Sequence, residues 1–171
     1  VVVINATTGA LNGITISGGN GDSNSNVSYR QGSAVTISQT SKNLTFKNIV
    51  FKDNRVIGFG VVNYGHTSNQ NGNYNYIFEN CMFQNNLARL ATAFYGANPR
   101  SSGVVKTQFI NTIFYKNKTA DFSSSSKGVN TIIWLRNDLA VGTNETEFIN
   151  CTFTENSLTG TDNQDSGVIS A

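Results

Sequence analysis

The chain has 171 residues, 13% of them charged, and a net charge of +2. That length suffices for one domain with a packed core. No basic run occurs anywhere, which excludes nucleic acid as a partner, because phosphate binding needs clustered Lys and Arg. The longest apolar runs, Val1 to Ile4 and Thr131 to Leu135, are too short for a membrane-spanning segment.

Asn accounts for 25 residues, Gly for 16, Ser plus Thr for 35 and Pro for 1. Asn, Ser and Gly at this level disfavour helices, through competing hydrogen bonds or backbone entropy. With apolar residues at 38% and many β-branched and aromatic side chains, the composition predicts an all-β protein rich in turns.

Taken in chain order, the elements repeat. Val1 to Ile4 reads as a strand. A degenerate motif follows at Leu11, Gly13, Ile16 and Gly19, then a polar loop from Gly18 to Asn26. Ala34 to Ile37 is the next apolar stretch. After it comes the first full copy of Phe-x-Asn-x-x-Phe-x-x-Asn, at Phe46, Asn48, Phe51 and Asn54. Phe59 to Tyr64 and the loop Gly65 to Asn75 lead to the second copy, at Phe78, Asn80, Phe83 and Asn86. Ala91 to Tyr95 precedes the third, at Phe109, Asn111, Phe114 and Asn117. The longest excursion runs from Asn117 to Val129 and includes Ser123 to Lys127. Val129 to Leu135 then precedes the fourth copy, at Phe148, Asn150, Phe153 and Asn156. The loop Thr159 to Ser166 and the strand-like Gly167 to Ala171 close the chain.

The central positions 13, 48, 80, 111 and 150 are separated by 35, 32, 31 and 39 residues. Ankyrin-like, tetratricopeptide-like and β-solenoid repeats share that range, but the motif has no i, i+3, i+4, i+7 stripe, which rules out the helical ones. Eight of the 11 Phe lie in the motif. The physical reading is a bent pair of short strands. Phe46, Phe51, Phe78, Phe83, Phe109, Phe114, Phe148 and Phe153 point inward and stack. The first Asn of each copy turns the chain, because Asn tolerates left-handed backbone angles. The second Asn is expected to start an exit loop. A third strand per coil comes from the apolar stretch that follows each motif. Stacked about 4.8 Å apart, the copies predict a right-handed, single-stranded parallel β-helix of about five coils. It has three strands per coil, Phe stacks inside and a ladder of Asn48, Asn80, Asn111 and Asn150 at one turn. Residues 1–171 read as a single domain.

The Phe-x-x-Asn tetrads Phe51–Asn54, Phe83–Asn86, Phe114–Asn117 and Phe153–Asn156 resemble the parallel β-helix repeats of the polymorphic outer membrane protein and pectate-lyase-like superfamily. Gly32-Ser33-Ala34-Val35, Gly58 to Val62 and Ser166-Gly167-Val168-Ile169 are loose counterparts of that family's Gly-Gly-Ala-Ile-like strands. The resemblance implies the fold. It leaves open adhesins, polysaccharide lyases and hydrolases, which all use it.

Chemistry-bearing residues are sparse. Cys81 and Cys151 share the position after the turn Asn, as inward, free thiols two coils apart, about 10 Å by strand spacing and too far for a disulfide. His66 is the one His and lies in a loop, so zinc is not expected. Asp53, Asn85, Lys116 and Glu155 share an outward position. Arg136 with Asp138, and Arg89 one coil earlier, are the best enzyme candidates. Asp162 and Asp165 read as solvated loop carboxylates. No catalytic residue, metal site or cofactor is assigned. Val50, Met82, Ile113 and Thr152 form an outward stripe beside Ile110 and Ile149, either under a loop or at a lateral contact.

Six N-x-Ser/Thr sequons occur, against about five expected from composition. Asn5, Asn26, Asn43, Asn117 and Asn144 read as loop-side acceptors on a secretory route, and Asn150 as a buried ladder residue. The functional expectation is an extracellular or cell-surface structural or adhesive glycoprotein. Its partners are other copies, head to tail as a fibre, or the flanking coils of a longer solenoid. A carbohydrate-active enzyme or sugar-binding module is the alternative.

Overall fold

A computed structural model gives the fold and describes residues 2–20, 32–38, 40–56, 60–64, 72–97, 102–119, 131–136, 142–158 and 167–170. The chain opens with β1 (Val2–Ile4), β2 (Thr8–Asn12) and β3 (Thr15–Ser17). The first full motif lies in β4 (Gly32–Ile37), β5 (Asn43–Lys47), β6 (Val50–Lys52) and β7 (Arg55–Val56). The second lies in β8 (Gly60–Tyr64), β9 (Tyr74–Glu79), β10 (Met82–Gln84) and β11 (Leu87–Ala88). The third lies in β12 (Ala91–Ala97), β13 (Val104–Ile110), β14 (Ile113–Tyr115) and β15 (Lys118–Thr119). The fourth occupies β16 (Thr131–Arg136), β17 (Thr143–Ile149) and β18 (Thr152–Thr154), and β19 (Gly167–Ser170) follows.

These strands build four parallel sheets. The first is ordered β1-β4-β8-β12-β16-β19, the second β2-β5-β9-β13-β17, the third β3-β6-β10-β14-β18 and the fourth β7-β11-β15. Each of the first three full motifs contributes one strand to each sheet in turn, the fourth adds strands to the first three sheets, and the architecture is compatible with a parallel β-helix. Val2 pairs with Val35, so the opening apolar stretch does join the same sheet as its later counterparts. The fourth sheet departs from the sequence reading. What was expected to be an exit loop after the second Asn continues as a two-residue strand. Its second residue, Val56, Ala88 or Thr119, is buried, which pins the segment to the core.

Register places like on like. Phe46 opposes Phe78, Phe78 opposes Phe109 and Phe109 opposes Phe148. Their rings stack at centroid distances of 4.7, 4.9 and 5.3 Å. Phe51, Phe83, Phe114 and Phe153 form a second stack at 4.6, 5.2 and 4.4 Å. The two stacks meet edge-on or tilted, as between Phe83 and Phe109. Six of the eight rings are fully buried, while Phe148 and Phe153 are only partly covered. Burial of each ring contributes about 1.5 to 3 kcal/mol. Gly96 serves the same core. A side chain there would meet the Tyr64 hydroxyl, and its lack of one lets Tyr64 reach across to Asn144 at 3.0 Å.

Candidate functional site

Two corners in each copy are made by single residues in the left-handed region. Asn48, Asn80, Asn111 and Asn150 have φ of 51 to 53°, and Gly13 takes the same role at 69° in the degenerate copy. Five residues later Asp53, Asn85, Lys116 and Glu155 repeat the conformation at 52 to 53°, with Gly18 at 67°. The four residues considered as a shared outward position are thus corner residues, and all four are exposed. Left-handed angles cost a residue with a Cβ roughly 1 to 2 kcal/mol unless it is Asn or Asp, whose short polar side chain eases the strain. Lys116 and Glu155 carry that cost without the relief.

The first corner carries the expected ladder. Asn48 Nδ2 donates to Asn12 Oδ1 at 2.9 Å, Asn80 to Asn48 at 3.3 Å, Asn111 to Asn80 at 3.1 Å and Asn150 to Asn111 at 2.8 Å. All four donors are exposed, Asn150 included, which corrects the expectation that Asn150 is buried. Their side chains lie along the outside of the corner because the inward slot belongs to the next residue.

That slot holds Ile49, Cys81, Thr112 and Cys151. Cys81 Sγ donates to the Phe46 carbonyl at 3.3 Å, Thr112 Oγ1 to Phe78 at 3.2 Å and Cys151 Sγ to Phe109 at 3.2 Å. Both cysteines are free. Burial pushes the Cys81 thiol up to about 11, so it is a buried donor and not a reactive thiolate.

The second corner holds a ladder that the sequence reading did not assign. Asn54, Asn86 and Asn117 are 1%, 1% and 0% exposed. Asn54 Nδ2 donates to Asn86 Oδ1 at 3.0 Å, Asn86 to Asn117 at 2.9 Å and Asn117 to Asn156 at 3.1 Å. Each Nδ2 also donates backward to a core carbonyl: Ile16, Phe51, Phe83 and Phe114 in turn, at 2.8 to 3.1 Å. Each Oδ1 accepts in addition the backbone N–H one copy back, beginning with Gly19 to Asn54. For Asn86 and Asn117 both amide protons and two acceptor sites are used, so the buried group is satisfied in full. The strict Asn at this motif position was the available signal.

The outer face of the second sheet carries two ion pairs. Lys47 pairs with Glu79 at 2.8 Å and Lys106 with Glu147 at 2.9 Å, and Gln108 donates to Glu147 at 2.7 Å. Hydrogen bonds from Lys106 and then Gln108 hold the Glu147 carboxyl below its usual range. Beside them lies a shallow depression lined by Asn43, Asn73, Asn75, Lys106 and Glu145. On the third sheet, Val50, Met82, Ile113 and Thr152 fall in one outward row, with Ile113 36% exposed, and Ile149 at the neighbouring corner is 48% exposed. On the first sheet the outward row is Thr36, Asn63, Tyr95 and Trp134. Tyr95 and Trp134 meet edge to face at 5.1 Å, and the buried Asn63 amide has no hydrogen-bond partner among the described residues.

The glycosylation candidates divide. Asn5 and Asn43 are exposed. Asn117 is fully buried in the second ladder and does not stand at the loop surface expected of it. Asn144 is half-buried and accepts from Tyr64. Arg89 is half-exposed, and Arg136 lies in β16. Asn26, His66, Asp138, Asp162 and Asp165 lie outside the described residues. Among the described residues no three His, Cys, Asp or Glu side chains stand close enough to hold a metal ion, and no helix is long and apolar enough to cross a membrane. Comparison with protein-family models, with curated proteins and with solved structures finds no match.

Proposed function

We propose that the chain is an extracellular structural or adhesive module, a right-handed parallel β-helix of about five coils that works as a shaft. Right-handedness follows the rule for crossovers between parallel strands. The observation that carries the reading is the use made of the repeated polar residues: every Asn that the motif keeps hydrogen-bonds its counterpart in a neighbouring copy. What the repeat preserves is therefore stacking, not a reaction centre. Because all four sheets share one stacking direction, a further copy, covalent or not, would extend both Asn ladders and both Phe stacks together. Head-to-tail association into a fibre is the assembly this favours, with glycans on exposed acceptors such as Asn5 and Asn43. Electron microscopy and light scattering of the purified chain test it. Filaments one solenoid wide support the fibre reading, and a monodisperse monomer at high concentration overturns it.

A sugar-binding module is the second reading, favoured by Trp134, whose half-buried indole lies in the outward row of the first sheet and packs edge to face against Tyr95. An exposed aromatic face of this kind can stack on a pyranose ring. A glycan array compared between the native chain and Trp134→Ala tests it. Retained signal in the variant, or none in either, removes this reading.

A further inference from the structure

Asn117-Lys118-Thr119 is an N-glycosylation sequon whose acceptor is a rung of the buried ladder. In the folded chain both Asn117 and Thr119 are 0% exposed. Asn117 Nδ2 spends one proton on the Phe83 carbonyl at 2.8 Å and the other on Asn156 Oδ1 at 3.1 Å. Glycosyl transfer would form a bond from this nitrogen to the anomeric carbon of a lipid-linked oligosaccharide. The carbon–oxygen bond to the pyrophosphate breaks, the lipid pyrophosphate leaves with the bonding pair, and one amide proton passes to a base. The product has one N–H where the ladder needs two, and a bulky polar group where the core has no room.

We propose that N-glycosylation at Asn117 and folding are mutually exclusive: the sequon is an acceptor in the unfolded chain alone, and a glycan there holds the chain out of its native state. Whichever event comes first decides the fate of the molecule. Asn43 supplies the internal control. Its sequon Asn43-Leu44-Thr45 starts β5 with Asn43 exposed, so a glycan there is compatible with either state. The inference stands apart from the structural or adhesive reading above, since it concerns the folding of this chain and not what the folded chain contacts.

The test uses a purified oligosaccharyltransferase with a lipid-linked oligosaccharide donor, acting on the 171-residue chain both folded and denatured, with glycopeptide mapping. In the folded chain, Asn117 should be modified at least about a hundredfold more slowly than Asn43, because its exposure requires opening the core. In the denatured chain the two should react at comparable rates. After refolding, the protease-resistant fraction should lack the Asn117 glycan, while the Asn43 glycan divides evenly between resistant and sensitive fractions. Thr119→Val removes the acceptor and should restore the refolded yield of donor-treated chain to that of untreated Thr119→Val. That untreated sample absorbs any folding cost of the substitution itself. An Asn117 glycan found in protease-resistant chain, equal rates at Asn43 and Asn117 in the folded chain, or no transfer to Asn117 in the denatured chain would each overturn the proposal.

Discussion

The two Asn ladders use the same side chain at the same stacking interval for different physical ends. In the outer ladder, Asn80 makes one amide bond to each neighbour and is otherwise hydrated. Its main contribution is to its own backbone, at φ 52°. In the inner ladder, Asn86 has ordinary backbone angles, and the left-handed corner has moved to Asn85 beside it. There the amide substitutes for water, joining a core carbonyl, a backbone N–H and two other amides. Conformation explains one Asn and satisfied burial explains the other. The two explanations predict different responses to the same substitutions.

Asn86→Ala should have the largest effect. It removes the partner of the Phe51 carbonyl, of the Asn54 backbone N–H and of one Asn54 amide proton. Each buried group left unpaired costs about 1 to 3 kcal/mol, so a loss of about 4 kcal/mol or more is expected in chemical denaturation. Asn86→Gly should fare no better, because backbone freedom is not what the site lacks. Should Asn86→Gly recover most of the loss, the division between the ladders fails.

Much of this was legible in the sequence, and the reasons for the rest are specific. The spacing of Phe and Asn gave the strand pairs, the stacking partners and the first corner, since inward Phe side chains and a residue tolerant of left-handed angles are local demands. The inner ladder was missed because alternation cannot be followed through a corner. Asp53 takes the turn, which aims Asn54 inward where a loop had been expected. The short fourth sheet was missed for the same reason, as two residues are too few to display a period. The burial of Asn117 follows from its rung and not from its neighbourhood, so the polar segment after it suggested a surface. Fractional exposure at Phe148 and Phe153 likewise depends on packing along the stack, which no single motif encodes.

In the outer ladder the ranking should invert between alanine and glycine. Asn80→Ala puts a Cβ without a compensating amide at φ 52°, and should cost about 1 to 2 kcal/mol. Asn80→Gly should lie within about 0.5 kcal/mol of the native chain, as Gly13 occupies the corresponding corner in the degenerate copy. Thermal melts of the pair decide it. Equal losses for the two variants would mean that the amide chain, not the backbone angle, is what the outer position contributes.

The same logic gives a stabilising change. Lys116 holds a left-handed corner with a long side chain, at φ 53°. Its ion pair with Glu155 at 3.5 Å is exposed, and contributes little in water. Lys116→Asn copies the residue present at the preceding corner, Asn85, and should raise Tm slightly. A fall in Tm would show that the Lys116–Glu155 pair or the contact of Lys116 with the Tyr115 ring matters more than the backbone strain.

The smallest effect is expected between the ladders, where Cys81 and Thr112 donate to equivalent Phe carbonyls one copy apart. Cys81→Thr replaces a weak donor with a stronger one of similar size in a slot that accepts Thr one copy further on, so little should change at neutral pH. The difference should appear in alkali. Burial raises the Cys81 thiol to about 11 in the folded chain, against about 8.5 for a thiol in the unfolded chain. The folded state thus keeps a proton that the unfolded state releases, and stability falls as pH rises from the unfolded value towards about 11. Tyr64 and Tyr76 are also held above their ordinary range by burial, and they add a second loss at higher pH in both proteins. Denaturation curves at successive pH values should therefore diverge above about 8.5, Cys81→Thr retaining its stability towards pH of about 11 while the native chain weakens. Parallel curves across that window would mean that the Cys81 thiol ionises as freely in the fold as out of it, and that the slot beside the outer ladder is not the dry donor site its burial indicates.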